Sequence, residues 1–273
     1  MQSATITFPV FGENFAINIR SYILIFGFSV TLYGIIIMTG FALAALYLYK
    51  RREALGLTQD NVFDIVIIAV PFGLLGARVY YVVFNASYYF TSDNWPSIFR
   101  LREGGLAVYG GIICATAAAY VYSRVKKIPF GKIADAGGFG LFIGQAVGRW
   151  GNFFNREAYG GETTLPWRMG LTLDGVTKYV HPTFLYESLW NVAGLILLHT
   201  FSKKRGRKYH GQYFLLYVAW YGLGRFFIEG LRADSLLLAG TDIRVSQILA
   251  AISCITAMAI LIRYHVSTKA IDQ

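Results

Sequence analysis

Between Gly148 and Gly160 the chain reads GRWGNFFNREAYG, and these 13 residues hold two arginines, two carboxamides, a carboxylate and three glycines. Guanidinium and amide groups together present many N–H donors, and only arginine presents them as a rigid fork that fits a phosphate or a carboxylate. Arg149, Asn152, Asn155, Arg156 and Glu157 therefore have the composition of an anion site. The plainer reading is a charged anchor at the headgroup level, which is what a single basic residue beside a membrane span usually is. Anchoring asks only for charge and aromatic rings. It leaves the amides, the carboxylate and the glycines unexplained.

A second constellation consists of Tyr221, Arg225, Glu229 and Arg232, at offsets of four, eight and eleven from the first. On a helix these return to one face within an arc of about 80°. The plain reading is an Arg-Glu-Arg ladder that neutralises itself. An ionisable side chain within a span costs on the order of 3 kcal/mol at the membrane centre, so several on one face imply a bundle interior or an aqueous cavity. Two smaller clusters join these, Gly104 to Gly111 with Tyr109 and His181 to Glu187 with His181 and Glu187 at its ends. Taken alone, the first reads as a tight entry turn with an interfacial tyrosine, and the second as a helix cap with proline in the first turn. Tyr33 and Arg78 are isolated polar marks within apolar runs. There is no G-x-S-x-G elbow, no H-E-x-x-H, no CxxC pair and no glycine-rich nucleotide loop. An enzyme built from this inventory has no nucleophile or metal of its own and takes its nucleophile from a substrate. No cofactor and no metal is expected.

The elements that position these residues are membrane helices. The chain has 273 residues, 55% of them hydrophobic and 15% charged, with a mean hydropathy of +0.47, well beyond an ordinary soluble domain. The net charge of +10 comes from short clusters between apolar runs, the pattern of topology signals and not of a nucleic-acid surface. Nucleic acid is therefore discounted as a partner. Cys114 and Cys254 each lie inside an apolar run without metal or redox spacing, so packing is their expected role. Residues 1–20 carry no cleavable signal pattern and suit a segment at the membrane interface.

The expected fold is an all-α polytopic membrane protein in a single membrane domain. Seven transmembrane helices are predicted over residues 22–49, 62–84, 105–122, 133–148, 182–201, 212–229 and 243–263. Lys50 to Arg52, Arg124 to Lys132 and Lys203 to Lys208 hold twelve of the 25 basic residues and mark the cytoplasmic side. That bias predicts an outside N-terminus and a cytoplasmic C-terminus. The loop through Trp95, Pro96, Arg100 and Arg102 then lies outside, as does a small extracytoplasmic head segment over residues 149–180. The head carries the turn signal Leu173-Asp174-Gly175, with short strands expected around 167–173 and 178–180. Pro71 and Gly73 are possible kink points in the second span, and the four-residue repeat Gly140, Gly144, Gly148 predicts a central fourth helix whose neighbours approach closely. In this topology the outer ends of the fourth and sixth spans meet one leaflet, so Arg149 and Arg225 can converge. Arginines in a bundle can also line a pathway, so a small transporter or channel for an anionic solute is the alternative. A transporter more often shows paired half-repeats with broken helices; none is seen.

Taken together, the clusters resemble the bacterial prolipoprotein diacylglyceryl transferase family. The GRWGNFFNREAYG stretch is similar to that family's signature almost throughout, and the likeness extends in order to GARVYYVVF, EGGLAVYGG, HPTFLYE and YGLGRFFIEGLR, covering about Tyr33 to Arg232. The resemblance implies transfer of the diacylglyceryl group of phosphatidylglycerol to the lipobox cysteine thiol of a prolipoprotein, forming a thioether and releasing glycerol 1-phosphate. The partners it implies are phosphatidylglycerol, prolipoprotein signal peptides and the lipid bilayer. It implies a multi-pass protein of the bacterial cytoplasmic membrane with its active site toward the extracytoplasmic leaflet. By position in the motifs, the family's essential residues fall on Tyr33, Arg149, Asn152, Glu157, Gly160, Arg225 and Glu229. The chain departs from well-studied relatives at Tyr109, where they have a histidine before the paired glycines. On this reading Arg149, Arg225, Glu229 and Tyr109 carry the chemistry. Tyr33, Arg78, Asn152, Asn155, Glu157, Gly160, His181, Glu187, Tyr221 and Arg232 line the substrate, and either Glu229 or Glu157 takes the thiol proton.

Overall fold

The computed structural model describes residues 4–12, 15–91, 94–101, 104–173, 175–233, 235–238, 241 and 243–271. Arg102 of the expected outside loop, Glu103 of the EGGLAVYGG segment and Asp174 of the head turn lie outside the described residues. The order of elements is β1 (Ala4–Thr7), β2 (Ala16–Ile19), β3 (Tyr22–Ile25), β4 (Phe28–Thr31), α1 (Leu32–Arg51), α2 (Gln59–Phe84), α3 (Ala86–Tyr89), α4 (Val108–Val125), α5 (Phe130–Asn155), β5 (Met169–Leu173), β6 (Val176–Val180), α6 (Thr183–Lys204), α7 (Gln212–Glu229) and α8 (Val245–Ile271). The protein is mostly helical, and α1, α2 and the Val245–His265 part of α8 are long and apolar enough to cross a membrane. α5, α6 and α7 are more polar because they carry Asp135, Arg149, Glu187, Arg225 and Glu229.

The expectation of an all-α protein is corrected by six strands among the described residues. Residues 22–31 were assigned to the first span, yet they form the hairpin of β3 and β4, and the helix begins only at Leu32. Both strands are rich in Ile, Val, Phe and Tyr, which favour a pleated backbone. Phe26 and Gly27 between them take φ of 49° and 82°, the two left-handed positions of a type I′ hairpin turn. Hydropathy does not distinguish such a hairpin from the first turns of a helix. The N-terminal residues also form strands, β1 and β2, and β1 pairs with β5 of the head. β5 and β6 lie where strands were expected, so the result is an antiparallel sheet of order β2-β1-β5-β6.

The chain divides into two compact units, residues 48–135 and residues 1–47 with 136–273. In the first, a reciprocal capping box starts α2, with Thr58 Oγ1 accepting from the Asn61 backbone and Asn61 Oδ1 accepting from the Thr58 backbone. The helix then runs unbroken through Pro71. α2 and α4 cross in opposite directions at Gly76 and Gly110, where a Cβ on either residue would run into the backbone of the other helix. Cys114 fills the space beside Gly76, the packing role expected of it. Further along the same pair, the Tyr122 hydroxyl donates to Asp64 at 2.9 Å and accepts from Asn61 at 3.1 Å, while Lys126 pairs with Asp64 at 3.3 Å.

In the second unit α5 carries a glycine stripe on which α1 lies. A Cβ on Gly40 of α1 would sit 3.5 Å from the Cα of Gly144, Ile37 packs on Gly148, and the Tyr33 ring covers Gly151. Of the expected small-residue repeat, Gly148 is the position where a Cβ would crowd a neighbour, at 3.2 Å from Ile37, whereas a Cβ at Gly144 would meet nothing within 4 Å. α6 and α7 are joined by two indoles: Trp190 Nε1 donates to the Trp220 carbonyl and Trp220 Nε1 to the Trp190 carbonyl, both at 2.9 Å, with the rings stacked 4.5 Å apart. Cys254 of α8 packs on Gly222 of α7. The sheet adds a separate core of Ile6, Ile19, Met169, Leu171 and Val180 over Phe153, near the end of α5, and Phe184, at the start of α6.

The glycine crossing gives a direct test. Gly110→Ala forces α2 and α4 apart and is expected to lower the midpoint of thermal unfolding in detergent, by the equivalent of about 1–3 kcal/mol for an overpacked contact. An unchanged midpoint would mean that the two helices do not meet there.

Candidate active site

The centre of the second unit is a carboxylate. Glu187, in the second turn of α6, is 4% exposed and receives three guanidinium groups. Arg149 of α5 meets its Oε2 at 2.5 Å, Arg225 of α7 meets its Oε1 at 3.0 Å, and Arg232, just beyond α7, comes within 3.7 Å of the same oxygen. A second buried carboxylate, Glu229, pairs with Arg225 at 2.5 Å and with Arg232 at 3.9 Å. The first and second constellations, 76 residues apart at Arg149 and Arg225, thus meet on the third, His181 to Glu187. Buried ions are tolerated where partners offset the lost hydration, and here each carboxylate has at least two arginines. Without Glu187 the guanidiniums would face one another, and two like charges at roughly 4 Å repel by about 4 kcal/mol in such surroundings.

α5 extends beyond the expected end of the fourth span, so that Arg149 and Asn152 project from its last two turns. Arg149 also donates to Asn152 Oδ1 at 3.4 Å, and Asn152 Nδ2 donates to Glu157 at 2.9 Å. Asn155 donates to the same Glu157 oxygen at 3.3 Å. Both amides of the signature are therefore spent on holding Glu157, which is exposed, while Arg149 is held from two sides. The chain leaves α5 through two strained residues: Arg156 and Ala158 have φ of 57° and 55°, a left-handed conformation uncommon outside glycine. Buried Thr183 pins that turn by donating to the Ala158 carbonyl at 2.5 Å. Backbone strain of this kind persists only where its surroundings over-determine it.

Gly160 has a steric reason to be glycine. Its N–H bonds the His181 carbonyl at 2.9 Å, and it forms a bridge with Arg232 while Gly161 bonds the Leu231 carbonyl at 2.8 Å. A Cβ there would lie 2.6 Å from that of His181 and 2.8 Å from the Leu231 oxygen. The signature segment, the start of α6 and the end of α7 are stitched together at this point. That stitching places Arg232, since α7 itself ends at Glu229, short of where the one-face reading needed it to persist.

Of the other expected site residues, Tyr33 covers Gly151 and lies within electrostatic reach of Arg149 and Glu157. Tyr221, one turn before Arg225, stacks on Tyr217 at 5.8 Å, and the Tyr217 hydroxyl accepts from Gln145 of α5 at 2.9 Å. Gln145 and Tyr217 were not anticipated; Gln145, one turn before Arg149 in an apolar helix, was the available signal. The His181 ring lies against Tyr186, whose hydroxyl accepts from Trp167 at 2.8 Å.

Arg78 and Tyr109 belong to residues 48–135. Arg78, expected to line the substrate, has a buried guanidinium that donates to the carbonyls of Ser97, Ile98, Gly104 and Gly105 at 2.5 to 3.0 Å and lies over the Tyr89 ring. It holds the loop that precedes α4. Tyr109, in the first turn of α4, is 58% exposed.

The model of the family described as prolipoprotein diacylglyceryl transferase matches residues 21–263. The chain is 47% identical over 231 residues to the phosphatidylglycerol–prolipoprotein diacylglyceryl transferase of Clostridioides difficile (strain 630), which covers 85% of this chain and 89% of that protein. It is 42% identical over 253 residues to the protein of the same name from Clostridium novyi (strain NT), covering 90% and 95%. With that of Bacillus anthracis (strain CDC 684 / NRRL 3495) it shares 44% identity over 232 residues, covering 81% and 83%. This chain belongs to the prolipoprotein diacylglyceryl transferase family.

Proposed function

We propose that this membrane protein transfers the diacylglyceryl group of phosphatidylglycerol to the lipobox cysteine of prolipoproteins, the first step of bacterial lipoprotein maturation. The observation that carries the reading at the level of residues is the meeting of Arg149, Arg225 and Arg232 on the buried carboxylates Glu187 and Glu229. Arg149 and Arg225 each bring five N–H donors in a planar fork, a geometry that suits the oxygens of a phosphodiester. In the reaction the cysteine sulfur attacks the glyceryl carbon that bears the phosphate. The carbon–oxygen bond breaks with its electrons going to oxygen, a thioether forms, and glycerol 1-phosphate leaves. Negative charge grows on the departing phosphate, and preorganised donors aimed at such charge are worth several kcal/mol.

In this scheme Arg149 and Arg225 grip the phosphate and stabilise its departure, while Glu229 and Glu187 hold the arginines in place. The attacking group is the thiolate, so the thiol must lose its proton. Glu229 is buried against two arginines, which favours the exposed Glu157, steadied by Asn152 and Asn155, as the acceptor. Tyr33 covers the reacting lipid, and Tyr109, standing before the paired glycines of the first turn of α4, positions the preprotein segment. The topology that goes with this reading has seven spans, the N-terminus outside, the C-terminus cytoplasmic and the site toward the outer leaflet, so that both substrates enter sideways from the bilayer. Family membership favours the transferase over the anion transporter.

Membranes containing the protein, phosphatidylglycerol and a lipobox peptide should yield a peptide whose cysteine has gained the diacylglyceryl mass. Solute flux without that gain selects the transporter. In the same assay Arg149→Lys should lose at least about tenfold in rate, because an ammonium lacks the planar fork; near-normal transfer at limiting lipid would refute bidentate recognition. Glu187→Gln keeps the shape and removes the charge, and should cost about 3 kcal/mol of stability, measured by thermal unfolding, as well as most of the activity. A variant of full stability and activity would show that the arginines are held by something else. For topology, single cysteines introduced beside Trp95 and Trp167 should label from outside and one beside Gly206 should not; the opposite pattern inverts the assignment.

A further inference from the structure

The β3–β4 hairpin ends in an aromatic residue that the rest of the chain does not use. Phe26 is 97% exposed and sits at φ 49°, in a left-handed position that hairpins usually give to Asn or Gly. A phenylalanine there is strained and, being uncovered, gains no packing in return. Its neighbours are also uncovered: Leu24 is 71% exposed and Phe28 is 68% exposed. Ile25 pairs with Phe28 and Leu24 with Ser29 in the register, so Leu24 and Phe28 project from opposite faces of the hairpin. The tip is therefore apolar at its end and on both sides.

The environment that suits such a tip follows from three observations. A folded protein partner covers one face of a hairpin, whereas an apolar fluid surrounds it, and the residues here are apolar all round. The hairpin joins α1 without a linker, with Leu32 N–H bonded to the Ser21 carbonyl at 2.9 Å at its base. α1 has 20 residues and ends in Lys50 and Arg51, which at about 1.5 Å per residue matches a hydrocarbon core of about 30 Å. Leu32 thus stands at the boundary opposite the basic end, and the hairpin starts where the hydrocarbon stops. A two-stranded ribbon has open edges whose N–H and C=O groups cannot be left bare in hydrocarbon. That limits immersion to the tip, at the depth of the headgroup and upper acyl region where aromatic rings favour the interface.

We propose that Leu24, Phe26 and Phe28 form a lipid-immersed tip, docking the hairpin into the interfacial layer of the bilayer beside α1. Tyr33 follows the hairpin by two residues and covers Gly151 in the candidate site, so the docked tip fixes the height of that ring relative to the lipid. The proposal stands on the hairpin and on α1 as a membrane span, and does not depend on the transfer chemistry.

The test uses the full chain with Cys114→Ala and Cys254→Ala, a nitroxide attached at Phe26→Cys, and vesicles of phosphatidylglycerol and phosphatidylcholine. Collisions of the label with dissolved oxygen should exceed those with a water-soluble nickel chelate, reversing the order found for a free label in water. Dominance of the chelate would put the tip in water and overturn the proposal. Shielding from both reagents would mean that protein covers the tip, and would overturn it equally. If the labelled protein fails to fold, Phe26→Trp serves instead: brominated lipids should quench its emission beyond that of the parent protein, and equal quenching would count against immersion.

Discussion

A carboxylate shared by three guanidiniums is the interaction on which this architecture depends. Glu187 comes from α6, Arg149 from α5 and Arg225 from α7, so one side chain defines where three helices must stand relative to one another. Neither charge type would be tolerable at this burial without the other, since unpaired buried ions lose several kcal/mol of hydration. The scaffold meets that demand by spacing. Gly148 and Gly151 of α5 admit Ile37 and Tyr33 of α1 on one side, and Asn152 steadies Arg149 from another. A cluster built this way is preorganised: its charges are held in place by one another and by the neighbouring amide and not by solvent.

The same demand explains where the backbone departs from ordinary geometry. Arg156 and Ala158 take left-handed conformations because α5 must stop abruptly for Glu157 to turn back toward Asn152 and Asn155. Gly160 then lets the chain pass between His181 and Leu231, which ties the end of α7 to the start of α6 and delivers Arg232 to the carboxylates. The sheet completes the arrangement by covering Phe153 and Phe184, two aromatic residues at the ends of the helices that supply Arg149 and Glu187.

Much of this was legible in the residues themselves. α7 falls on the expected bounds, the head strands lie close to their anticipated places, and Arg149 and Arg225 meet as their positions suggested, whereas Arg232 reaches the carboxylates from beyond the end of α7. What was misread shares a physical cause. Hydropathy is blind to backbone geometry, so Tyr22 to Thr31 looked like helix although the Phe-Gly pair and the β-branched residues marked a turn between strands. The pairing of β1 with β5 joins residues more than 160 positions apart, and nothing local announces it. Arg78 illustrates the converse limit: a buried arginine in a span signals an unusual role, but its sequence position does not announce the four carbonyls of the loop before α4 that its fork holds. Gln145 was passed over because one amide in an apolar helix gives no hint of the tyrosine it serves.

The paired indoles of α6 and α7 constrain how anything bulky reaches the arginines. Each ring donates to the other helix's main chain, so the seam holds two hydrogen bonds between part-buried groups. Prising the two helices apart there strands two donors and two acceptors at once, a penalty far steeper than sliding apolar side chains past one another. That seam is consequently a weld and not a doorway. The helix pair bearing Glu187 and Arg225 therefore stands as one rigid unit, and whatever moves in this part of the molecule moves around it.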